Sequence, residues 1–216
     1  MFKIDLHTHS TASPDGGISA TQYSKALETG LLDAIAITDH NSIEFAVHMQ
    51  SILGKNIIVG EEIMTTQGEI IGLYLTDLVP AGLSPAVAVK HIKDQGGIVY
   101  IPHPFETVRS GLPAGVLEEI MDQIDLFEVY NGRAFVQNRS ANSVIWAKLN
   151  HKITVASSDA HGYRGLGGTY TSIASFPTRE TLTNLMDKGI PRISRPTMRG
   201  LLYPKYHRLR KKLGTK

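Results

Sequence analysis

The chain has 216 residues, 42% of them hydrophobic, which is enough for one domain with a substantial core. Cysteine is absent, which excludes a disulfide framework and a thiolate metal site. No apolar run approaches the roughly 18 residues that a membrane-spanning helix needs. The opening MFKIDLHTHS lacks the apolar stretch of a signal peptide, so a cytoplasmic protein is expected. The net charge of +2 conceals an asymmetry. Nine of the 22 Lys and Arg residues lie from Gly189 onward, where there is no Asp or Glu, so the first 188 residues carry 13 basic and 20 acidic side chains.

In chain order, KIDL (3–6) opens as a strand, and Ser19 caps a helix over about 20–30 that Gly30 ends. DAIAITD (33–39) and NIIVGEEIM (56–64) read as buried strands, with EIIGLYL (69–75) a hairpin partner of the second. Ser84-Pro85 starts a helix that runs to Gly96-Gly97. GIVYIPH (97–103) is a strand, LEEIMDQI (117–124) a helix and DLFEVYN (125–131) a strand. A helix over 135–150, the strand ITVASSD (153–159) and a helix over 178–188 follow. From Gly189, with Pro191, Pro196 and Pro204, the pattern predicts an irregular tail leading to a short basic helix. Such alternation indicates a mostly parallel sheet with crossover helices, closer to a barrel than to an open sheet.

Metal-ligand residue types gather where these strands end. KIDL leads into His7-Thr8-His9, DAIAIT into Asp39-His40 and NIIVG into Glu61-Glu62. GIVYIP leads into His103, and ITVASS into Asp159-Ala160-His161. In parallel α/β folds the C-terminal strand ends converge on one rim, where active sites are built. An H-x-H pair on an extended segment puts both imidazoles on one side, able to share an ion. Taken singly, each residue has a plainer reading: a loop histidine for His103, an N-cap for Asp159, a solvated carboxylate for Glu61 or Glu62. Five segments aimed at one rim make those readings hard to hold together. His48, His91, His151 and His207 fall in helical or tail contexts and are expected to be ordinary surface residues.

The succession DLHTHS, ITDHNS, GEEI, IPHP, EVYNGR and SSDAH resembles the polymerase and histidinol phosphatase (PHP) superfamily over residues 1 to about 175. The resemblance implies an α/β fold of the distorted seven-stranded (β/α) TIM-like barrel type, a trinuclear metal site and phosphoester hydrolysis. It implies a metal-dependent hydrolase domain over 1–190, with 191–216 a basic tail rather than a second domain. By the same resemblance His7, His9, Glu62 and Asp159 hold a first metal, Glu62 bridges to a second on His103, and Asp15, His40 and His161 hold a third. Glu62 is preferred to Glu61 because it precedes the apolar Ile63. Where many members carry a further histidine, this chain has Glu69; either Glu69 takes its place, which would favour harder ions such as Mn²⁺, or the second metal is weakly held, and Zn²⁺, Mn²⁺ and Fe²⁺ all stand as the implied ions. Asp39 is expected to orient a ligand.

Arg109 and Arg133 lie at the same rim and match phosphate oxygens bidentately; for each, a structural ion pair is the open alternative. Asn131 is a candidate for metal, water or substrate. The implied mechanism is attack by a metal-bound hydroxide at a di- or trinuclear site on a phosphoester of a small metabolite or nucleotide. Nucleic acid, drawn by the basic tail, is the less favoured substrate. A non-catalytic metal-binding module and a non-phosphate hydrolase of the amidohydrolase kind are the other readings. No long lid is visible, so an open, shallow site is expected.

Overall fold

A computed structural model of the chain describes residues 1–134, 138–194 and 198–213, the last stretch with side chains from residue 201. Nine strands lie in one sheet among them, in the order β7-β6-β5-β4-β3-β2-β1-β8-β9. They are β1 (Phe2–Asp5), β2 (Ala34–Ile37), β3 (Ile57–Thr65), β4 (Gly68–Leu73), β5 (Ile98–Ile101), β6 (Leu126–Asn131), β7 (Ile153–Ser157), β8 (Tyr170–Ile173) and β9 (Ile190–Arg192). The helices are α1 (Ala20–Glu28), α2 (Glu44–Leu53), α3 (Pro85–Asp94), α4 (Ala114–Glu119), α5 (Ser140–Leu149), α6 (Leu182–Asp187) and α7 (Met198–Lys212).

β1, β2 and β3 pair in parallel, as do β5, β6 and β7, and β4 joins the two sets antiparallel to both neighbours. The sheet curls until its first and seventh strands meet at one end: Thr8 bridges Ala160, and the His9 N–H donates to the Ala160 carbonyl at 2.9 Å. At the other end β8, antiparallel to β1, fills the gap, and the Thr171 hydroxyl bonds both the N–H and the carbonyl of Ala156 on β7. The result is a nearly closed, distorted barrel of the TIM-like class. The expected strands and the β3–β4 hairpin are all present.

Local chemistry explains the element ends. Ser19 caps α1 in a full capping box with Gln22, and Gly30 follows at φ 64°. Ser84 and Pro85 start α3, and Gly96 ends it at φ 70°. Three elements were not expected. α2 has Ile43 at its N-cap and no side-chain cap, so nothing in the sequence announces it. β8 and β9 are only four and three residues long. The expected helix over 135–150 is seen as α5 from Ser140, and 135–137 lie outside the described residues. The tail is corrected most: α7 is a helix of 15 residues with Pro204 inside it. No described helix is long and apolar enough to cross a membrane.

Two apolar clusters form the core. Ile35, Ile37, Val99 and Phe127 join Tyr23, Met49, Val89 and Ala147 of the helices in an outer layer. Ala34, Ala36, Ile58, Ile71, Tyr100, Leu126 and Val155 fill the barrel, with Leu182 and Met186 of α6 also in this cluster. Side chains alternate along a strand. The rows that supply Ile58, Ile71, Leu126 and Val155 to the interior therefore continue upward to Glu62, Glu69, Glu128 and Asp159. The polar site is the top layer of the barrel interior.

Candidate metal centre

His7, His9, Asp15, Glu62, Glu69, His103, Asp159 and His161 are all buried at this layer, and His40 is nearly so. They converge as four groups whose ligand atoms lie within 4.8 Å of one another: His7–His9–Asp159, His7–Glu62–His103, His40–Glu62–Glu69 and His9–Asp15–His40–His161. Glu62 is the hub. Its Oε1 lies 2.9 Å from His103 Nε2, and its Oε2 lies 3.4, 3.2 and 3.3 Å from His7 Nε2, His9 Nε2 and His40 Nδ1. Asp159 Oδ1 lies 3.6 and 3.5 Å from the His7 and His9 Nε2 atoms. Asp15 Oδ1 lies 3.6 Å from His40 Nε2 and 3.4 Å from His161 Nε2. Glu69 lies 3.5 Å from His40 Nδ1 and 3.7 Å from His103 Nε2, and the group it joins is that of His40 and Glu62. Glu61 faces the other way, where its carboxylate accepts the Val79 N–H at 2.9 Å.

The backbone is bent to make this rim. His103 has φ 28° and Asp159 φ 51°, the left-handed region that side-chain-bearing residues rarely adopt and that is tolerated where the surroundings enforce it. The loop carrying Asp15 lies tight on the His9 strand: a Cβ at Gly16 would stand 2.2 Å from the Ser10 carbonyl oxygen.

The carboxylates and imidazoles of the cluster shift one another strongly. Burial disfavours the charged carboxylate of Glu62, but the His7 and His40 imidazoles outweigh it and hold Glu62 well below the usual range. Burial likewise opposes the His9 imidazolium, but Asp159 and Glu62 lift it to about 9. Glu69, desolvated and beside Glu62, is pushed up to about 9. His161 is lowered by burial, then by His9 and Arg133. Five imidazoles and four carboxylates aimed at one small volume are costly to bury unless protons or cations neutralise them. With nitrogen and oxygen donors only, the set suits divalent zinc, manganese or iron.

The other expected residues fall as follows. Asp39 is buried, but both of its oxygens are taken by Ser10, from the N–H at 2.6 Å and the hydroxyl at 2.5 Å. It fixes the backbone beside His9, as a residue that orients a ligand would, and it is not among the residues that line the cavity. Arg109 grips Glu106 with Nε and Nη2, and its Nη1 reaches Asn131 and Asp159, each at 2.6 Å. Most of its donors are thus engaged by the protein. Arg133 Nη1 lies 3.3 Å from both Asp159 oxygens, while its buried Nε has no partner among the described residues. Asn131 donates to Glu128 at 2.8 Å and accepts from Arg109.

The sequence did not single out Glu128. It lies 3.3 Å from His7 Nδ1 and accepts from the Tyr100 hydroxyl at 2.5 Å and the His103 N–H at 2.6 Å. Its signal was its place in DLFEVYN, a lone carboxylate inside a buried strand. His207 was expected at the surface, and the structure differs. It is buried, stacked on Tyr203, and its ring fills the space a Gly17 Cβ would need, because α7 packs on the Asp15 loop. A cavity of about 610 Å³ lies over the cluster, walled on one side by Leu201, Leu202, Pro204, Lys205 and Arg208 of α7.

No family model matches the chain. It is 34% identical over 157 residues to the uncharacterized protein MJ1587 of Methanocaldococcus jannaschii, covering 67% of this chain and 92% of that one. It is 32% identical over 181 residues to MJ0417 of the same organism, covering 78% and 69% respectively. The chain belongs to their family. The fold is shared with a two-domain protein of Bacteroides vulgatus described as containing a predicted PHP-like metal-dependent phosphoesterase. The TM-score is 0.72 at 19% identity, over 96% of this chain and 69% of that one. It is also shared with an amidohydrolase of Chromobacterium violaceum crystallised with sulfate and no metal. There the TM-score is 0.58 at 16% identity, over 93% of this chain and 96% of that one.

Proposed function

We propose that the protein is a PHP-superfamily hydrolase that uses two or three divalent cations to cleave a phosphoester of a small metabolite or nucleotide. Residues 1–190 form the hydrolase domain, and the segment 191–216 is an appendage of it. The observation that carries the reading is the convergence of nine ligand-type side chains, drawn from segments as far apart as His7 and His161, on one buried layer under a cavity. Zn²⁺, Mn²⁺ or Fe²⁺ would be held by His7, His9, Glu62 and Asp159, by Glu62, His103 and Glu69, and by Asp15, His40 and His161. When bound, such cations acidify a water molecule and neutralise phosphoryl oxygens.

The chain's own residues then do the rest. Glu62 spans the neighbouring ligand groups with its two oxygens. Glu128 holds His7 by its Nδ1, which leaves Nε2 facing the cluster. Arg109 braces Asp159 and Asn131. Arg133 lines the cavity and would donate to a phosphoryl oxygen. The α7 wall limits the leaving group to what a cavity of about 610 Å³ admits, within the range of small-molecule sites. An oligonucleotide is disfavoured because Arg208 and Lys211 of the basic segment are already engaged by the Asp15 loop.

The test is a substrate panel with Mn²⁺-loaded protein. It comprises p-nitrophenyl phosphate, histidinol phosphate, mononucleotides, nucleoside bisphosphates, short oligonucleotides and a set of amides. Turnover of a phosphomonoester, lost together with bound metal in His9→Ala, is the expected result. Turnover of amides alone, or full activity in His9→Ala, overturns it.

A further inference from the structure

Asp15 is the one ligand-type residue of the cluster that comes from an irregular loop rather than a strand end. The loop 11–17 has little of its own to hold it in shape. Among the described residues its own backbone bonds are Thr11 N–H to Ile18, Ala12 N–H to the Ser10 hydroxyl, Gly16 N–H to Ser13 and the neighbouring Ile18 N–H to His9. What completes it is α7, almost two hundred residues away in the chain. The Lys211 ammonium donates to the carbonyls of Thr11, Ser13 and Gly16, gathering three acceptors of one loop around one cation. The Arg208 guanidinium donates to Asp15 Oδ2 at 2.7 Å. The His207 ring lies against Gly17 so closely that a Cβ there would sit 2.1 Å from it. One helical turn further back, Tyr203 packs the same way on Gly162, beside His161.

The two oxygens of Asp15 are thereby divided. Oδ2 belongs to Arg208, while Oδ1 faces His40 and His161 and takes the Ser13 hydroxyl at 3.1 Å. We infer that α7 is a clamp that builds the third ligand group: Lys211 sets the loop, Arg208 sets the carboxylate, and without them Asp15 is not presented to His9, His40 and His161. Both are positioning residues, and the inference rests on the metal-centre reading above.

The sign of the effect separates positioning from charge. Arg208 and Lys211 are cations near a cation site, so Coulomb repulsion alone predicts that removing either strengthens divalent binding. Both are partly solvated, and such repulsion is small. Disordering a ligand-bearing loop costs more, because its backbone must be ordered again each time the cation binds. Weaker binding on removal of a positive charge therefore reports the clamp.

The experiment uses the full-length protein loaded with Mn²⁺ and desalted. Bound metal is counted by elemental analysis, stepwise affinities are measured by calorimetry, and amide exchange of residues 11–17 is followed in metal-free protein. The variants are Lys211→Met, Arg208→Gln and the pair, with the exposed Lys212→Gln as control. The expected result is loss of one cation per chain, or at least a tenfold weakening of the weakest step, and faster exchange over 11–17. The tighter steps and the exchange of β2 and β5 should be unchanged. Unchanged or tighter binding at every step, with 11–17 exchanging as in wild type, overturns the clamp and leaves the metal centre standing. A wild-type chain that retains no divalent cation overturns the metal-centre reading and the clamp with it.

Discussion

Glu128 meets His7 from below: its Oε1 lies 3.3 Å from His7 Nδ1, on the far side of the ring from the cluster. The same carboxylate accepts from Tyr100, His103 and Asn131, so it locks two ligand-bearing segments at once. Carboxylates behind ligating histidines fix the ring and raise its basicity. Glu128→Gln, nearly isosteric, is expected to weaken divalent binding by roughly 10–100-fold, the usual cost of losing such a partner. Calorimetric titration checks it, and an affinity within twofold of wild type would count against the role.

Glu69 stands opposite Met64 in the β3–β4 ladder and reaches His40 and His103. As an oxygen donor it should bias its group toward harder ions. Glu69→His is expected to raise the ratio of Zn²⁺ to Mn²⁺ affinity by at least tenfold. Competition titrations read this ratio directly.

Glu61 makes a prediction about pH. Burial pushes its carboxyl up to about 7, and among the described residues only the Val79 N–H bonds it. In the unfolded chain it titrates near the ordinary glutamate value of about 4.3. Below both values the group is protonated in both states and has no effect. Between them the folded state retains a proton that the unfolded state has released, so stability falls as pH rises, and the loss levels off above about 7. Glu61→Gln removes this slope. Relative to wild type it should gain on the order of 2 kcal/mol between pH 5 and pH 8. Denaturant melts at the two pH values, with a chelator present throughout, test this.

Gly16 is predicted to tolerate no side chain. Its missing Cβ would meet Ser10 and His9 backbone atoms at 2.2 and 2.9 Å, and main chain cannot step aside as a flexible side chain can. Gly16→Ala is expected to cost about 2 kcal/mol or more, in the range of other overpacked sites. A thermal shift under 2 °C would contradict it.

Much of this was legible because strands end where ligands are needed. The pairs His7–His9 and Asp159–His161 each occupy one strand end, so local pattern sufficed to find them. Glu62 could be told from Glu61 only with the family resemblance, and the geometry agrees through simple alternation along β3. Glu128 escaped because a single acidic residue in an apolar strand carries no local mark of its partner 121 positions away. Arg208 escaped for the same reason, at a separation of 193. The basic run looked like a solvated tail because its partners are loop carbonyls and one carboxylate, which leave no periodic trace. α2 was missed for want of a cap, and β8 for its brevity.

The Thr8–Ala160 bridge closes the barrel where β7 returns to β1, and β8 fills only the opposite end of that gap. Two of the four ligand groups straddle this seam, joining His7 and His9 on one lip to Asp159 and His161 on the other. An ion seated there would act as a rivet across the join. Its affinity would add directly to the work of prising the cylinder open, by about 2.7 kcal/mol at a hundredfold excess over Kd. Stripping the ions would then loosen the cylinder along one line, between its first and seventh staves.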